Sequence, residues 1–448
     1  MKTIMLLVAW TMLQCNLFAG DEAGHGLVAH EWGTFTSLQG GDGELLNWKP
    51  LETSRLPGFV YDWKKPGLGR QATSVSGVFT KSTMITKQRM ETPVVYFYSD
   101  KKMTVDLDVK FPKGLITEWF PQASQVGPSI VPPSRTVLAM DSFLHRCGAP
   151  AKLTVASLTE NKNVKDSKIH WSNIELLPAN QKDEVAQLLP TDTSGSHYFS
   201  ARATDAAYLR LDSLSKTNRG PEYEKFLFYR GAGDFPTPLR VVIKSSNEVV
   251  LANTGTEALH HLFILNVRDQ QGNFVYLDEL QPGQEKTVSR QSPTGNLPLS
   301  DLTEKLTSKM FASLTAQGLY QREATAMVST WKDSWFAEDG MRVLYLLPRP
   351  WTDRTLPMTI NPAPKELVRV MVGRAEVLTP EVEQQLSLQV TKAGKGDPEA
   401  IQQVHATLQK LGRFGEPALY RALATAKAPS DSYRRLFALL TPDQTTGK

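Results

Sequence analysis

The sequence predicts a mixed, β-rich protein in which β-sandwich-type modules are followed by an α+β segment and a C-terminal helical tail. Short strand-like runs separated by Gly and Pro turns continue to about residue 290. Beyond Ser300 the apolar residues recur at helical spacing, and Thr379-Pro380 and Asp397-Pro398 have the pattern of helix starts. At 448 residues the chain is about three times the usual length of one domain, so several cores are expected.

Changes in this pattern give the predicted boundaries. The segments are a signal peptide at 1–19, a β-rich N-terminal domain at 25–235, an immunoglobulin- or fibronectin-like β-sandwich module at 236–292, an α+β segment at 293–378 and a tail of HEAT-like helical hairpins at 379–442.

The N-terminus, MKTIMLLVAWTMLQCNLFAG, indicates export. One positive residue, Lys2, precedes a short, interrupted apolar run that ends in small residues, as in a cleaved secretory signal. The protein is therefore expected to be periplasmic or extracellular. Lipoprotein anchoring through Cys15 is disfavoured because Gln14 is not a small residue, and Cys147 is left as the single thiol of the mature chain.

Individual strands and helices follow from residue spacing. PVVYFYSDKKMTVDLDVKF predicts a hairpin, and five short runs between Pro238 and Arg290 predict the sandwich module. RVLYLLP and LVRVMVG predict two further strands, and the first is apolar enough to be central. The stripe Leu302, Leu306, Met310 predicts a helix, and the tail predicts helices from Thr379, Asp397, Pro417 and Ser430.

Charge and motifs exclude several function classes. The net charge is +4, or +3 once the segment containing Lys2 is removed, and no dense basic run is present, so no nucleic-acid partner is expected. No later stretch is long enough to span a membrane. HExxH, GxxxxGK, GxSxG and CxxC are all absent, which removes sequence support for common metalloprotease, nucleotide, hydrolase and redox sites.

Two Glu-Trp pairs are candidate catalytic and binding residues. Glu31-Trp32 and Glu118-Trp119 together offer what a glycan-cleaving site needs: two carboxylates as acid and base or nucleophile, and an indole as a platform for the sugar. The alternative is structural, with each carboxylate paired to an arginine across a sheet and each indole in the core.

Further candidate binding residues are Arg89, Glu91 and Arg230. In RMETP, Arg89 and Glu91 are two residues apart and share a face if the segment is extended. In the glycan-cleaving hypothesis, Arg89 or Arg230 would hold a carboxylate in place. The adjacent Ser196-His197 has the residue types of a nucleophile and base, although neighbours in sequence rarely aim at each other.

His30 is a candidate metal ligand. His25 and His30 have a spacing seen in zinc sites, and Glu31 would add an oxygen. The alternative is that HEWGTF is simply the first, core-facing strand of a sheet. The sequence identifies no cofactor.

Several stretches resemble a set of uncharacterised exported bacterial proteins. They include HEWGTFT, RMETPVVYFY, HYFSARATDA and SWFAEDGMRVLYLLPR, and the likeness runs from about His30 to about Glu383. The resemblance implies export and one integrated protein, and it carries no activity or ligand.

Three functions remain open. The first is a secreted, non-catalytic binding or scaffold protein for a glycan or a protein partner. The alternatives are an extracytoplasmic carbohydrate-active hydrolase using paired glutamates and an exported metal-binding protein. The sequence does not decide whether the chain is an enzyme.

Overall fold

The structure is a computed structural model that describes residues 26–51, 56–62, 84–127, 165–177, 182–193, 195–212, 220–293 and 295–426. The predicted signal peptide, Cys15, His25, Cys147 and the predicted helix from Ser430 lie outside these residues.

Ten strands form a mixed central sheet. In order across the sheet they are β16 (Leu297–Pro298), β14 (Gln271–Leu280), β13 (Leu259–Arg268), β17 (Gly340–Leu347), β19 (Glu366–Leu378), β1 (Val28–Gly40), β3 (Gln88–Tyr98), β10 (Leu227–Gly233), β5 (Gly114–Phe120) and β2 (Tyr61–Asp62).

Two smaller sheets and the helices complete the described fold. One sheet comprises β11 (Leu239–Ile243), β12 (Glu248–Asn253) and β15 (Glu285–Ser289); the other comprises β18 (Met358–Asn361), β4 (Met103–Phe111), β7 (Ser167–Leu177), β8 (Tyr208–Leu211) and β9 (Glu222–Glu224), with β6 (Gln125–Gly127) paired to β7. The helices are α1 (Lys182–Ala186), α2 (Leu299–Ala316), α3 (Gln321–Lys332), α4 (Arg349–Thr355), α5 (Pro380–Ala393), α6 (Pro398–Leu411) and α7 (Gly415–Ala426), with 3-10 turns at His197–Arg202 and Gly412–Phe414 and a π turn at Asp333–Ala337. None of the described helices combines the length and apolar character needed to cross a membrane.

The predicted β-rich, mixed architecture with a helical C-terminus is confirmed. HEWGTF lies in β1, which pairs in parallel with β19 and antiparallel with β3 at the centre of the sheet. Every residue of β1 is buried, and β17 is buried from Met341 onward. Strands covered on both faces read as nearly continuous apolar runs, which explains why RVLYLLP could be placed in the middle of a sheet.

The predicted hairpin of PVVYFY and MTVDLDVKF is wrong. Both runs are strands, but β3 pairs with β1 and β10 in the central sheet, whereas β4 pairs with β7 and β18 in another sheet. Their patterns already differ. PVVYFY is apolar almost throughout and is buried on both faces, whereas MTVDLDVKF alternates and has one polar face.

The five strands of the predicted sandwich module are divided between two sheets. β11, β12 and β15 form the three-stranded sheet, while β13 and β14 extend the central sheet beside β17. Residues 236–292 therefore share a sheet with the segments that follow them. The immunoglobulin-like character of this module stays a prediction.

The C-terminal helices form a small hydrophobic core of their own. Thr379 and Asp397 cap α5 and α6 with their side chains, as the Thr-Pro and Asp-Pro patterns indicated. Leu386, Val404 and Leu419 pack with residues of the N-terminal region that include Trp48. The tail is thereby attached to the sheet region.

A bulge in β3 opens the central sheet at one point. Trp32 faces Val94 and Thr34 faces Glu91, so Thr92 and Pro93 together stand opposite Gly33. Thr92 has φ 49°, and the following proline has no N–H to donate to a neighbouring strand. The pairing of β10 with β3 shifts at the same place. Bulges often mark functional sites because they redirect side chains.

Gly231, next to this bulge, has no room for a larger residue. A Cβ built there lies 2.0 Å from the main-chain oxygen of Leu115. We expect Gly231→Ala to lower the free energy of unfolding by about 3 kcal/mol, the upper end of the usual cost of overpacking. The control is Gly220→Ala, whose Cβ meets nothing within 4 Å and should change stability by less than about 0.5 kcal/mol. Equal effects in denaturant titrations would contradict this account.

Candidate functional site

Buried arginine–glutamate pairs cross the central sheet. In three of them the two residues occupy directly opposed positions on neighbouring strands: Glu31 with Arg369, Glu118 with Arg230, and Glu376 with Arg342. All six side chains are buried. A buried ion is costly unless it is paired and hydrogen-bonded. These strand registers meet that requirement by placing each glutamate opposite an arginine.

Glu31 is held inside the sheet. Its side chain is 0 % exposed. Arg369 Nε donates to one carboxylate oxygen at 2.6 Å, and the Tyr229 hydroxyl donates to the other. Arg369 also donates from Nη1 to Asp353 at 2.9 Å. Both oxygens of Glu31 therefore take part in the packing of the sheet.

Glu118 is held in the same way. Arg230 donates to both of its carboxylate oxygens, from Nε and from Nη2, each at 2.8 Å. The neighbouring indoles of Trp32 and Trp119 are fully buried in the hydrophobic core. A general acid or base must reach its substrate, and a platform must offer an accessible face. The structure thus places all four Glu-Trp residues in structural positions, the alternative that the sequence left open.

Arg89 departs from the pairing rule. Its opposed residues on the neighbouring strands are Thr36 and Ala232, neither of which carries a charge. The side chain is only 5 % exposed, and its Nε and Nη1 have no hydrogen-bond partner among the described residues. The Glu91 carboxylate approaches Nε at 3.5 Å, beyond an ordinary hydrogen bond. Buried guanidinium donors without partners are costly and call for an explanation.

Arg89 lines a cavity of about 390 Å³, which we call the arginine cavity. Several elements meet there: β3, β10, the 3-10 turn at His197–Arg202, α3, the π turn, and the turn between α6 and α7. Its lining consists of Leu56, Arg89, Glu91, Thr92, Gly195, Ser196, His197, Tyr198, Arg230, Thr330, Trp331, Ser334, Glu338 and Arg413. Three predicted binding residues, Arg89, Glu91 and Arg230, therefore face one space, together with Ser196 and His197.

Arg413 brings a second guanidinium to this cavity from the helical tail. Its Nη1 is 3.6 Å from Glu91 and its Nη2 is 3.9 Å from Glu338. Nη2 is buried and has no hydrogen-bond partner among the described residues. The guanidinium packs over the ring of Phe414, 4.9 Å from its centroid.

Burial and neighbouring charges act on both Arg89 and Glu91. The pKa of Arg89 is lowered to about 10, chiefly by burial and to a lesser extent by Arg413 and Arg230, while the Glu91 carboxylate opposes this shift. For Glu91, burial would raise the pKa, but Arg89, Arg413 and Arg374 outweigh it and lower the pKa to about 2. Glu91 is therefore ionised at neutral pH.

Comparisons with known proteins identify no family for this chain. No protein-family model matches the chain, and no curated protein matches it. The resemblance to exported bacterial proteins stays a prediction.

A second cavity of about 410 Å³ shares Glu338 and Arg413 with the first. It lies between the end of β19 and the turn after α6, and Lys410 at its edge pairs with Asp339 at 3.0 Å. The helical tail therefore contributes to the walls of both cavities.

His30 lies in a separate buried cluster. Its Nδ1 is 2.7 Å from the Glu323 carboxylate, which also accepts a hydrogen bond from the Tyr98 hydroxyl at 2.7 Å. The ring packs against Tyr320, with centroids 4.4 Å apart. Within the described residues, no group of three or more His, Cys, Asp or Glu side chains is arranged to hold a metal ion.

Arg413 and Trp331, which line the cavity, were not among the predicted site residues, and neither were several buried arginines of the neighbouring ion pairs. Arg342, Arg369 and Arg374 stand inside otherwise apolar strands, and a charge in such a strand signals a buried partner. That signal was available in the sequence. Arg413 and Trp331 had none, because they come from a helical tail and a helix whose contacts with β3 depend on tertiary packing.

The exceptional position of Arg89 predicts opposite effects for two matched substitutions. Arg230→Met leaves Glu118 buried without its main partner and should lower the free energy of unfolding by about 3–5 kcal/mol. Arg89→Met removes a buried guanidinium whose Nε and Nη1 have no hydrogen-bond partner among the described residues, while Glu91 keeps Thr36, which donates to it at 2.6 Å, and Arg413. We expect the stability of this variant to equal or exceed that of the wild type.

Denaturant titration at neutral pH measures both effects. If Arg89→Met were as destabilised as Arg230→Met, Arg89 would be a structural partner in the sheet, and the distinction drawn here would fail.

Proposed function

We propose that the protein is an exported, non-catalytic binding protein that holds an anionic ligand in the arginine cavity. The observation that carries this proposal is Arg89: a buried guanidinium on a rigid strand, with Nε and Nη1 lacking partners among the described residues, at the wall of a cavity. Protein sites commonly bind anions through such guanidinium donors. Export rests on the N-terminal sequence pattern.

The shape of the site favours a small ligand or a short part of a larger one. A volume of about 390 Å³ lies within the usual range of small-molecule sites. A flat protein–protein contact does not need such a concave space. Of the two ligand classes expected from the sequence, a glycan therefore fits this cavity better than a folded protein does.

The contacts of Glu31 and Glu118 favour binding over glycan cleavage. Each carboxylate is engaged by an arginine within the sheet, and neither lines the arginine cavity. Glu91, which does line it, is held between Arg89 and Arg413 at 3.5 and 3.6 Å. Its depressed pKa suits a fixed charge that orients the two guanidiniums.

Calorimetric titration tests the proposal. We expect sodium salts of acetate, glucuronate, phosphate or sulfate, compared at constant ionic strength, to include at least one anion that binds with one site per chain. Arg89→Met should weaken that binding at least tenfold, because it removes the donors that have no other partner.

The matched control is Arg322→Met, which removes the same charge from an exposed arginine, 61 % accessible, that pairs with Asp205. This variant should bind like the wild type. Equal binding by wild type and Arg89→Met, or equal losses in both variants, would refute the arginine cavity as the binding site.

A further inference from the structure

The charges around the arginine cavity do not balance. The contacts and electrostatic neighbours of Arg89, Glu91 and Glu376 connect five guanidiniums with four carboxylates: Arg89, Arg230, Arg342, Arg374 and Arg413 with Glu91, Glu118, Glu338 and Glu376. Each carboxylate of this network contacts at least one of the five arginines. Five positive and four negative charges leave one positive charge in excess.

The excess charge is located at the cavity. Within this network, the buried guanidinium donors without hydrogen-bond partners among the described residues are Arg89 Nε and Nη1 and Arg413 Nη2, which belong to the two cavity arginines beside Glu91. By contrast, Arg342 donates to Glu376 at 2.8 Å, and Arg374 donates to Glu338 and Glu376 at 2.6 Å. One further negative charge between Arg89 and Arg413 would neutralise the network and use the spare donors.

A ligand group that neutralises this network therefore carries a single negative charge. A phosphate monoester carries about 1.5–2 negative charges near neutral pH, which would overcompensate the site and repel the adjacent Glu91. A carboxylate carries one charge on two oxygens, with about four lone-pair directions for the available N–H groups. Glu91 already shows that a carboxylate fits between the same two arginines, 3.5 Å from one and 3.6 Å from the other.

The rest of the cavity is suited to a sugar ring. Trp331 forms part of the wall, and one face of its indole is stacked on Trp335, with centroids 6.2 Å apart. Trp331 is only partly buried, and an indole in a cavity wall is an apolar surface on which the C–H face of a pyranose can pack. Hydroxyl groups of Thr92 and Ser334 and the imidazole of His197 also line the space and can exchange hydrogen bonds with sugar hydroxyls.

We infer that the ligand is a uronic acid residue of a glycan, with its carboxylate between Arg89 and Arg413 and its ring against Trp331. This inference rests on the proposed function and narrows it to one class of ligand. Arg413 also gives the helical tail a role, since the tail supplies one of the two guanidiniums that receive the carboxylate.

Titration calorimetry with the full mature chain distinguishes the contribution of the ligand's charged group to binding from that of its sugar ring. The probes are the methyl glycosides of glucuronate and galacturonate, methyl glucoside as the neutral analogue, glucose 6-phosphate as a more highly charged analogue, glucose 6-sulfate as a singly charged analogue that is not a carboxylate, and sodium acetate as a carboxylate without a ring. We expect at least one uronide to bind at least tenfold more tightly than each of the other four probes. Arg89→Met should abolish this preference, and Arg322→Met should preserve it.

Two further variants complete the test. Trp331→Leu should weaken uronide binding at least tenfold while leaving the weaker acetate binding unchanged. Arg89→Lys keeps the charge but loses the planar fork of donors, so its affinity should fall between those of the wild type and Arg89→Met. Thermal unfolding of each variant confirms that it is folded before titration.

The outcomes distinguish the two proposals. If acetate, glucose 6-phosphate or glucose 6-sulfate binds as tightly as both uronides and this binding requires Arg89, the anion site stands and the uronic acid assignment is overturned. If none of the probes binds in an Arg89-dependent manner, both the proposed function and the uronic acid assignment are refuted.

Discussion

Buried ion pairs between arginine and glutamate on neighbouring strands are the interaction on which the central sheet depends. Glu31 pairs with Arg369 across β1 and β19, and Glu118 pairs with Arg230 across β10 and β5. A slip of one residue would send every side chain of a strand to the opposite face and leave these charges unpaired. Hydrophobic burial favours the sheet in many registers, whereas the charge pairs favour one.

The same constraint explains why the position of Arg89 is unusual. The sheet sets an arginine opposite a glutamate at three positions, whereas the residues opposite Arg89 are uncharged Thr36 and Ala232, at the bulge where the sheet opens. Stability and binding are then opposed at this position. Buried guanidinium donors that make no hydrogen bond are costly, and the proposed ligand carboxylate would satisfy them. Arg413 extends this coupling to the helical tail, which is otherwise held by its own hydrophobic core.

Part of this arrangement was predictable from the sequence. Strands β1, β17 and β19 were recognisable as strands, and β17 was recognisable as central because its sequence is apolar almost throughout, as expected of a strand buried on both faces. The placement of β3 and β4 in different sheets was not predictable in this way. Their closeness in sequence suggested a hairpin, although their burial patterns differ. The Glu-Trp pairs indicated a site but are core positions, since a strand covered on both faces buries consecutive residues whatever their type.

Only the part of the candidate site that comes from one short segment was predictable from the sequence. Spacing alone suggested that Arg89 and Glu91 share a face, and both line the cavity. Arg413 and Trp331 lie far along the chain, and their approach to β3 depends on how the helices pack. Local sequence patterns specify strands and caps, but they do not specify which distant side chains will surround a cavity.

A crystal structure of the mature protein grown with a methyl uronide, refined finely enough to show the guanidinium contacts, tests the central claim most directly. The account predicts the ligand carboxylate within hydrogen-bond distance of Arg89 and Arg413, at about 2.7–2.9 Å, with the sugar ring against Trp331. The opposite result would be Arg89 Nε and Nη1 both bonded to a carboxylate of the chain itself and no uronide in the cavity. Arg89 would then be one more paired charge of the sheet.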